Sequence, residues 1–157
     1  MNKPLVLIVD DNVIALKLLR KFFEASGMDV IEAIDGHQCI ALAAKNSPHV
    51  ILLDVMMPMM DGYETIRRLK DNDKTKDIPV IILTALNDTG NQLRAIESGA
   101  DDFLSKPIEE KLIITKVKLF AELGLYKKQN LEMKNLLQRA KDHGALSDEE
   151  FTSVLND

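Results

Sequence analysis

At 157 residues the chain has room for one domain and an appendage, and its 46% apolar content with no tryptophan supplies an aliphatic core. A net charge of −5 and a pI near 5.2 argue against a nucleic-acid-binding surface. One cysteine, Cys39, excludes an intrachain disulfide and fits a reducing cytosol, while no apolar run approaches the ~20 residues needed to cross a membrane, so a soluble, cytoplasmic protein without a signal peptide is expected.

The chain opens with MNKP and a first continuous apolar run, Leu5–Val9, which ends on Asp10 and Asp11. Ile14, Leu18, Leu19, Phe22 and Phe23 follow with helical spacing, and Gly27 closes that helix. Asp29–Ala33 reads as a second strand. Cys39, Ile40, Leu42 and Ala43 mark a second helix, ended by Ser47-Pro48. The third strand, Val50–Leu53, runs into Asp54. After it come a loop with four methionines, the pair Asp61-Gly62, and a third helix marked by Ile66 and Leu69. The fourth strand, Val80–Leu83, ends on Thr84. A fourth helix is expected to start near Asn87-Asp88 and to stop at Gly99, a position suited to the residue just past a helix. Asp101–Ser105 is the fifth strand, with Lys106 just beyond it, and a fifth helix follows Pro107 with Glu109 and Glu110 in its first turn, where acids suit the helix dipole.

Several of these strands are unbroken runs of β-branched residues and leucine. Strands covered on both faces read this way, so the pattern predicts an α/β fold: a (βα)5 doubly wound parallel sheet of order 2-1-3-4-5, flavodoxin-like, with extended C-terminal helices. Ligands of such sheets sit beyond the carboxyl ends of the strands. Asp10, Asp11, Asp54, Thr84 and Lys106 all fall there. Singly, an aspartate after a strand is ordinarily a helix cap or turn former. Together these groups suit a divalent cation and a phosphoryl group. Three close carboxylates raise one another's pKa until a cation relieves them, and hard oxygen ligands without nearby Cys or His favour Mg²⁺. A carboxylate can attack phosphorus to give an aspartyl phosphate. Its charge can then be met by a lysine, a hydroxyl and the metal.

The strings LIVDDN, LLDVMMPMMDGYE, VIILTAL and SGADDFLSKP resemble the response-regulator receiver domain of two-component signalling over roughly residues 4–123. The steps of 30 residues from Asp54 to Thr84, 19 from Thr84 to Phe103 and 3 from Phe103 to Lys106 agree with that family's pattern. The resemblance implies that Asp54 accepts a phosphoryl group from a histidine kinase or phosphotransfer protein. Asp10, Asp11, Asp54 and the backbone carbonyl of Met56 would hold Mg²⁺. Thr84, Ala85 and Lys106 would meet the phosphoryl group, Lys106-Pro107 would be cis, and Thr84 with Phe103 would form the switch. The implied output face, helix 4, strand 5 and helix 5, would include Arg94, Ser98, Phe103 and Lys111.

Other assignments lack residues they need. A haloacid-dehalogenase-type phosphatase requires a second aspartate two positions after the nucleophile, where Met56 stands. No GxGxxG or GxxxxGK[ST] follows the first strand. His37, His49 and His143 show no ligand spacing and read as ordinary surface or helix residues. The protein is therefore read as a phosphoacceptor and not an enzyme. Met56 and Leu86, which flank the site in the family's geometry, are apolar and cannot orient an attacking water, so self-dephosphorylation should be slow. The methionines of the 56–60 loop read as gap-filling packing or as an adaptable contact for the kinase.

Residues 1–123 are expected to form the receiver and 124–157 a helical extension, in which the fifth helix continues and a short helix follows at about 148–155. A heptad runs through Leu119, Leu123, Tyr126, Asn130, Met133, Leu137 and Ala140, and an asparagine at an inner position can fix register. A single amphipathic helix folded on its own domain is the plainer reading. Beyond Gly144, Ser147 and Glu150 have capping-box spacing, Leu146 and Phe151 the spacing of a hydrophobic staple, and Phe151, Val154 and Leu155 one apolar face. Two functions follow. In the first, phosphorylation switches partner binding or homodimerisation, through the helix 4–strand 5–helix 5 face or the C-terminal helix. In the second, the chain is the receiver and connector of a longer regulator whose catalytic domain, such as a cyclic-dinucleotide enzyme or a phosphatase, lies further on.

Overall fold

A computed structural model describes residues 3–85, 89–144, 149–150 and 152–153. Five parallel strands, β1 (Leu5–Val9), β2 (Asp29–Ala33), β3 (Val50–Asp54), β4 (Val80–Thr84) and β5 (Asp102–Ser105), form one sheet in the order β2-β1-β3-β4-β5. The helices are α1 (Val13–Ala25), α2 (Gly36–Asn46), α3 (Gly62–Lys70), α4 (Thr89–Ser98) and α5 (Glu110–Asp142). The chain is the doubly wound α/β sandwich expected from the alternating apolar runs and helical patterns.

Successive strand side chains point to opposite faces, and the buried residues sort accordingly. Val6, Ile8, Leu52, Ile81, Leu83 and Leu104 face Leu16, Leu19 and Phe23 of α1 and Ile113, Val117 and Ala121 of α5. Leu7, Val9, Ile51, Leu53 and Ile82 face Cys39 and Ala43 of α2, Ile66 and Leu69 of α3, and Ala95 of α4. Both faces of the central strands are dry, which is why their sequences show no alternation of polar and apolar residues.

The local signals act as their chemistry suggests. Asn12, Asp35 and Asp61 are N-caps whose side chains accept backbone N–H groups of α1, α2 and α3. Gly27 and Gly99 lie at φ +86° and +101° just past α1 and α4, where a Cβ would be strained. Ser47 takes the same left-handed conformation after α2. Four boundaries move. β3 and β4 each run one residue further than the apolar pattern marks, through Asp54 and Thr84, because those residues still pair with Leu83 and Ser105. β5 begins at Asp102, since the Asp101 carboxylate instead accepts the Val80 N–H at 2.7 Å and Lys70 Nζ at 3.2 Å. Glu109 precedes α5 and its carbonyl accepts the Ile113 N–H.

His49 is neither a surface residue nor part of a helix. It lies half-buried just before β3, and its Nδ1 accepts the Leu5 N–H at 2.8 Å while its own N–H bonds to Leu5 O. Within α5, Gly124 approaches the carbonyl oxygen of His49 so closely that a Cβ would collide with it. By its contacts the chain divides into two compact units, Met1–Gly124 and Leu125–Asp157. In the second unit, α5 continues to Asp142, and 149–150 and 152–153 are helical. The start of the fourth helix at Asn87-Asp88, Leu86, the capping box, the staple and the apolar face of the last helix all rest on positions outside the described residues. No helix among the described residues is long and apolar enough to cross a membrane.

Candidate functional site

The parallel register brings five elements of the site to one edge. Val9 stands level with Ala33 and Leu53, Asp54 with Leu83, and Thr84 with Ser105. Asp10 follows β1, and its N–H bonds back to Ala33 O at 3.1 Å. Lys106 follows β5, with its N–H on Thr84 O at 2.7 Å. Lys106-Pro107 is cis.

One carboxylate oxygen from each of Asp10, Asp11 and Asp54 lies within 4.8 Å of the others. Asp10 and Asp54 are buried and Asp11 is exposed, so the cluster opens to solvent on one side. The two oxygens of Asp54 have different partners: Oδ2 meets Lys106 Nζ at 3.2 Å, and Oδ1 accepts the Met56 N–H at 3.1 Å. Asp10 Oδ1 accepts the Asn12 N–H at 2.9 Å. Burial pushes the Asp10 carboxyl up to about 6, and the charges of Asp54 and Asp11 push the same way, against the Asn12 N–H and Lys106. Burial leads this shift at Asp10, and the crowding of the carboxylates adds to it. A small oxygen-seeking dication matches that donor set: two buried carboxylates, one exposed one, and the adjoining backbone of Met56.

Thr84 is buried at the end of β4 and Ala85 exposed beside it. Phe103, on β5, is half-buried and packs with the cluster under α2, α3 and α4. The residues expected to act together are thus adjacent on β3, β4 and β5. The expected output face fares differently. Ser98 is buried, its hydroxyl donating to Ala95 O at 2.7 Å. The Arg94 guanidinium lies over the Tyr63 ring, 4.3 Å from its centroid, and 3.8 Å from Asp61 Oδ2. Both residues turn away from the proposed face because α4 directs Ala95 and Ser98 at the core, which leaves Arg94 beside α3. Lys111 is exposed, as expected. The apolar groups that α4 leaves in water are Leu93 and Ile96.

Two supports of the site escaped the sequence reading. Asn12 both caps α1 and holds Asp10 through its backbone; its position ahead of an apolar helical pattern signals the cap and not the second role. Gly62 begins α3 with no room for a side chain, since a Cβ there would sit 2.8 Å from Val55 Cα and 2.9 Å from Asp54 O. Its N–H bonds to Val55 O at 3.1 Å, which ties the start of α3 to the backbone carrying Asp54.

Residues 6–118 match the family model described as the response regulator receiver domain. The chain belongs to that family. It is 43% identical over 120 residues to response regulator PleD of Caulobacter vibrioides, which covers 76% of this chain and 26% of PleD. It is 36% identical over 115 residues to the polar-differentiation response regulator DivK of Brucella anthropi, covering 73% of this chain and 94% of DivK. The receiver domain of Francisella response regulator 1452 superposes with a TM-score of 0.71 at 34% identity, covering 76% of this chain and 98% of that one. The matched region therefore spans about a quarter of PleD and almost all of DivK. None of these three matches extends over the whole of the present chain.

Proposed function

We propose that Asp54 is the phosphoacceptor of this receiver. It takes a phosphoryl group from a histidine kinase or phosphotransfer protein in a reaction that requires Mg²⁺ at Asp10, Asp11, Asp54 and the Met56 carbonyl. The observation that carries this reading is the division of labour at Asp54: a buried carboxylate within 4.8 Å of two others and 3.2 Å from a lysine. An Asp54 oxygen attacks phosphorus, the new O–P bond forms as the P–N bond of a phosphohistidine breaks, and the imidazole leaves with the electron pair. Bound Mg²⁺ supplies charge neutralisation for the transferring oxygens. Lys106 gives up its pairing with the free carboxylate and meets a phosphoryl oxygen. The Thr84 hydroxyl donates to another, and Ala85 leaves room for the group.

Phe103 then follows Thr84, and the shift is read by a partner or by a second copy of the chain. Turning a population from 1:99 to 99:1 needs about 5.5 kcal/mol, which two charge-assisted hydrogen bonds of ~1.5–3 kcal/mol each approach. Leu93 and Ile96 of α4 and Leu112 and Leu119 of α5 supply apolar surface for that reading, and the 125–157 segment supplies a further pairing element. Met56 has an exposed, apolar side chain that orients no water, so the phospho form is long-lived. Acetyl phosphate with Mg²⁺ should label the wild-type chain, and Asp54→Asn or removal of Mg²⁺ should abolish the label. Label that persists in Asp54→Asn would overturn the assignment, and a phospho form decaying within seconds would overturn the slow hydrolysis.

A further inference from the structure

α5 is apolar on two opposite sides. Ile113, Val117 and Ala121 recur every four residues and are buried against the sheet. Leu119, Leu123, Tyr126 and Met133 recur at intervals of four, three and seven, and are 43–63% exposed. At 3.6 residues per turn the two stripes lie about 165° apart. The first ends at Ala121, and no described residue from 125 to 144 is buried. The second continues along α5 through Leu137 and Ala140, both half-buried. Apolar spacing kept up over about three heptads on a solvent-facing side is what a partner helix would bury.

The residues beside that stripe choose the partner and its direction. Leu123, Asn130 and Leu137 take one inner position of the heptad, and Leu119, Tyr126, Met133 and Ala140 the other. One flank is Lys127, Lys134 and Lys141; the opposite flank is Glu122, Gln129 and Leu136. In a parallel pair unlike flanks meet. Glu122 would reach the partner's Lys127, Gln129 the partner's Lys134, and Leu136 would lie on the stem of the partner's Lys141. In an antiparallel pair like flanks meet, and the lysines would line one another. A parallel pair also sets Asn130 against the partner's Asn130, where each amide satisfies the other, whereas an antiparallel pair sets inner positions of the two kinds against each other.

We propose that α5 pairs in parallel and in register with α5 of a second copy of this chain, along Leu119–Ala140. This deepens the pairing role proposed above and rests on it, but not on phosphorylation of Asp54, so it is tested on chain never exposed to a phosphodonor. Light scattering of the full chain should give twice its 17.6 kDa mass. Ala140→Cys, oxidised under mild conditions, should give a covalent dimer on a non-reducing gel. The buried Cys39, with its thiol pushed up to about 12, leaves the parent chain as an unreactive control. Met133→Glu, at an exposed position, should weaken pairing at least tenfold with an unchanged circular dichroism spectrum. A monomeric parent chain would overturn the proposal. So would a dimer in which Ala140→Cys fails to cross-link with itself but a mixture with Leu123→Cys does, since that pairing is antiparallel. Failure of acetyl phosphate labelling would leave both results unchanged.

Discussion

Replacing Asp10 by asparagine should stabilise the metal-free protein. Asp10 is 6% exposed, and burial first, then Asp54 and Asp11, hold its carboxyl at about 6 against the ordinary 3.8. The folded protein therefore retains a proton that the unfolded chain has already lost. As the pH rises through that interval, stability falls, and the penalty is complete above about pH 6. At ~1.4 kcal/mol per unit, the gap corresponds to about 3 kcal/mol at neutral pH. Asparagine keeps the shape, and its carbonyl oxygen can still accept the Asn12 N–H, so Asp10→Asn removes the charge without opening a cavity. Urea unfolding in EDTA at several pH values between 4 and 8 measures the effect. The variant should gain about 2–3 kcal/mol at pH 7, the gain should shrink towards pH 4, and Mg²⁺ should stabilise the wild-type chain more than the variant. Equal stability at pH 7, or a gain that persists undiminished at pH 4, would refute the assignment of the strain to the Asp10 charge.

Gly62→Ala forces a Cβ against Val55 Cα and Asp54 O; urea unfolding should show a loss of about 1–3 kcal/mol, and labelling by acetyl phosphate should slow because the Asp54 backbone moves. Cys39 is buried with its thiol pushed up to about 12 by desolvation; a thiol reagent should leave the folded chain untouched at pH 8 and react on addition of urea. Arg94→Ala removes a partly exposed cation over the Tyr63 ring; the cost should be only about 0.5–1 kcal/mol in urea unfolding, and a loss of several times that would mean Arg94 does more than cover the ring.

The sheet was legible because burial on both faces leaves a mark that survives without tertiary knowledge: Leu5–Val9, Val50–Leu53 and Val80–Leu83 contain no polar residue at all. The candidate site was legible because a parallel sheet gathers all its strand ends at one edge, so Asp10, Asp54, Thr84 and Lys106 needed only their strands to become neighbours. Side-chain direction on the helices was harder. Arg94 and Ser98 lie in a segment whose polar and apolar residues mix, and only the presence of Ala95 against the core and Tyr63 beside α4 decides where each points. His49 could not be placed because its partner, the Leu5 N–H, belongs to another strand's first residue. The tight glycines hide for the same reason. Nothing near Gly62 in sequence announces the Asp54 carbonyl beneath it.

The contact between Gly124 and the His49 carbonyl bears on where the receiver may be cut or spliced. A glycine within a helix costs roughly 1 kcal/mol relative to alanine, yet here alanine cannot fit. Gly124, where α5 passes the His49 carbonyl, is thus a residue the helix itself would not select. A shortened chain that ends at 123 discards that contact, so a minimal receiver should run through Gly124. A graft that joins a foreign helix to this domain should keep glycine at that position and match the helical phase there, whatever sequence follows.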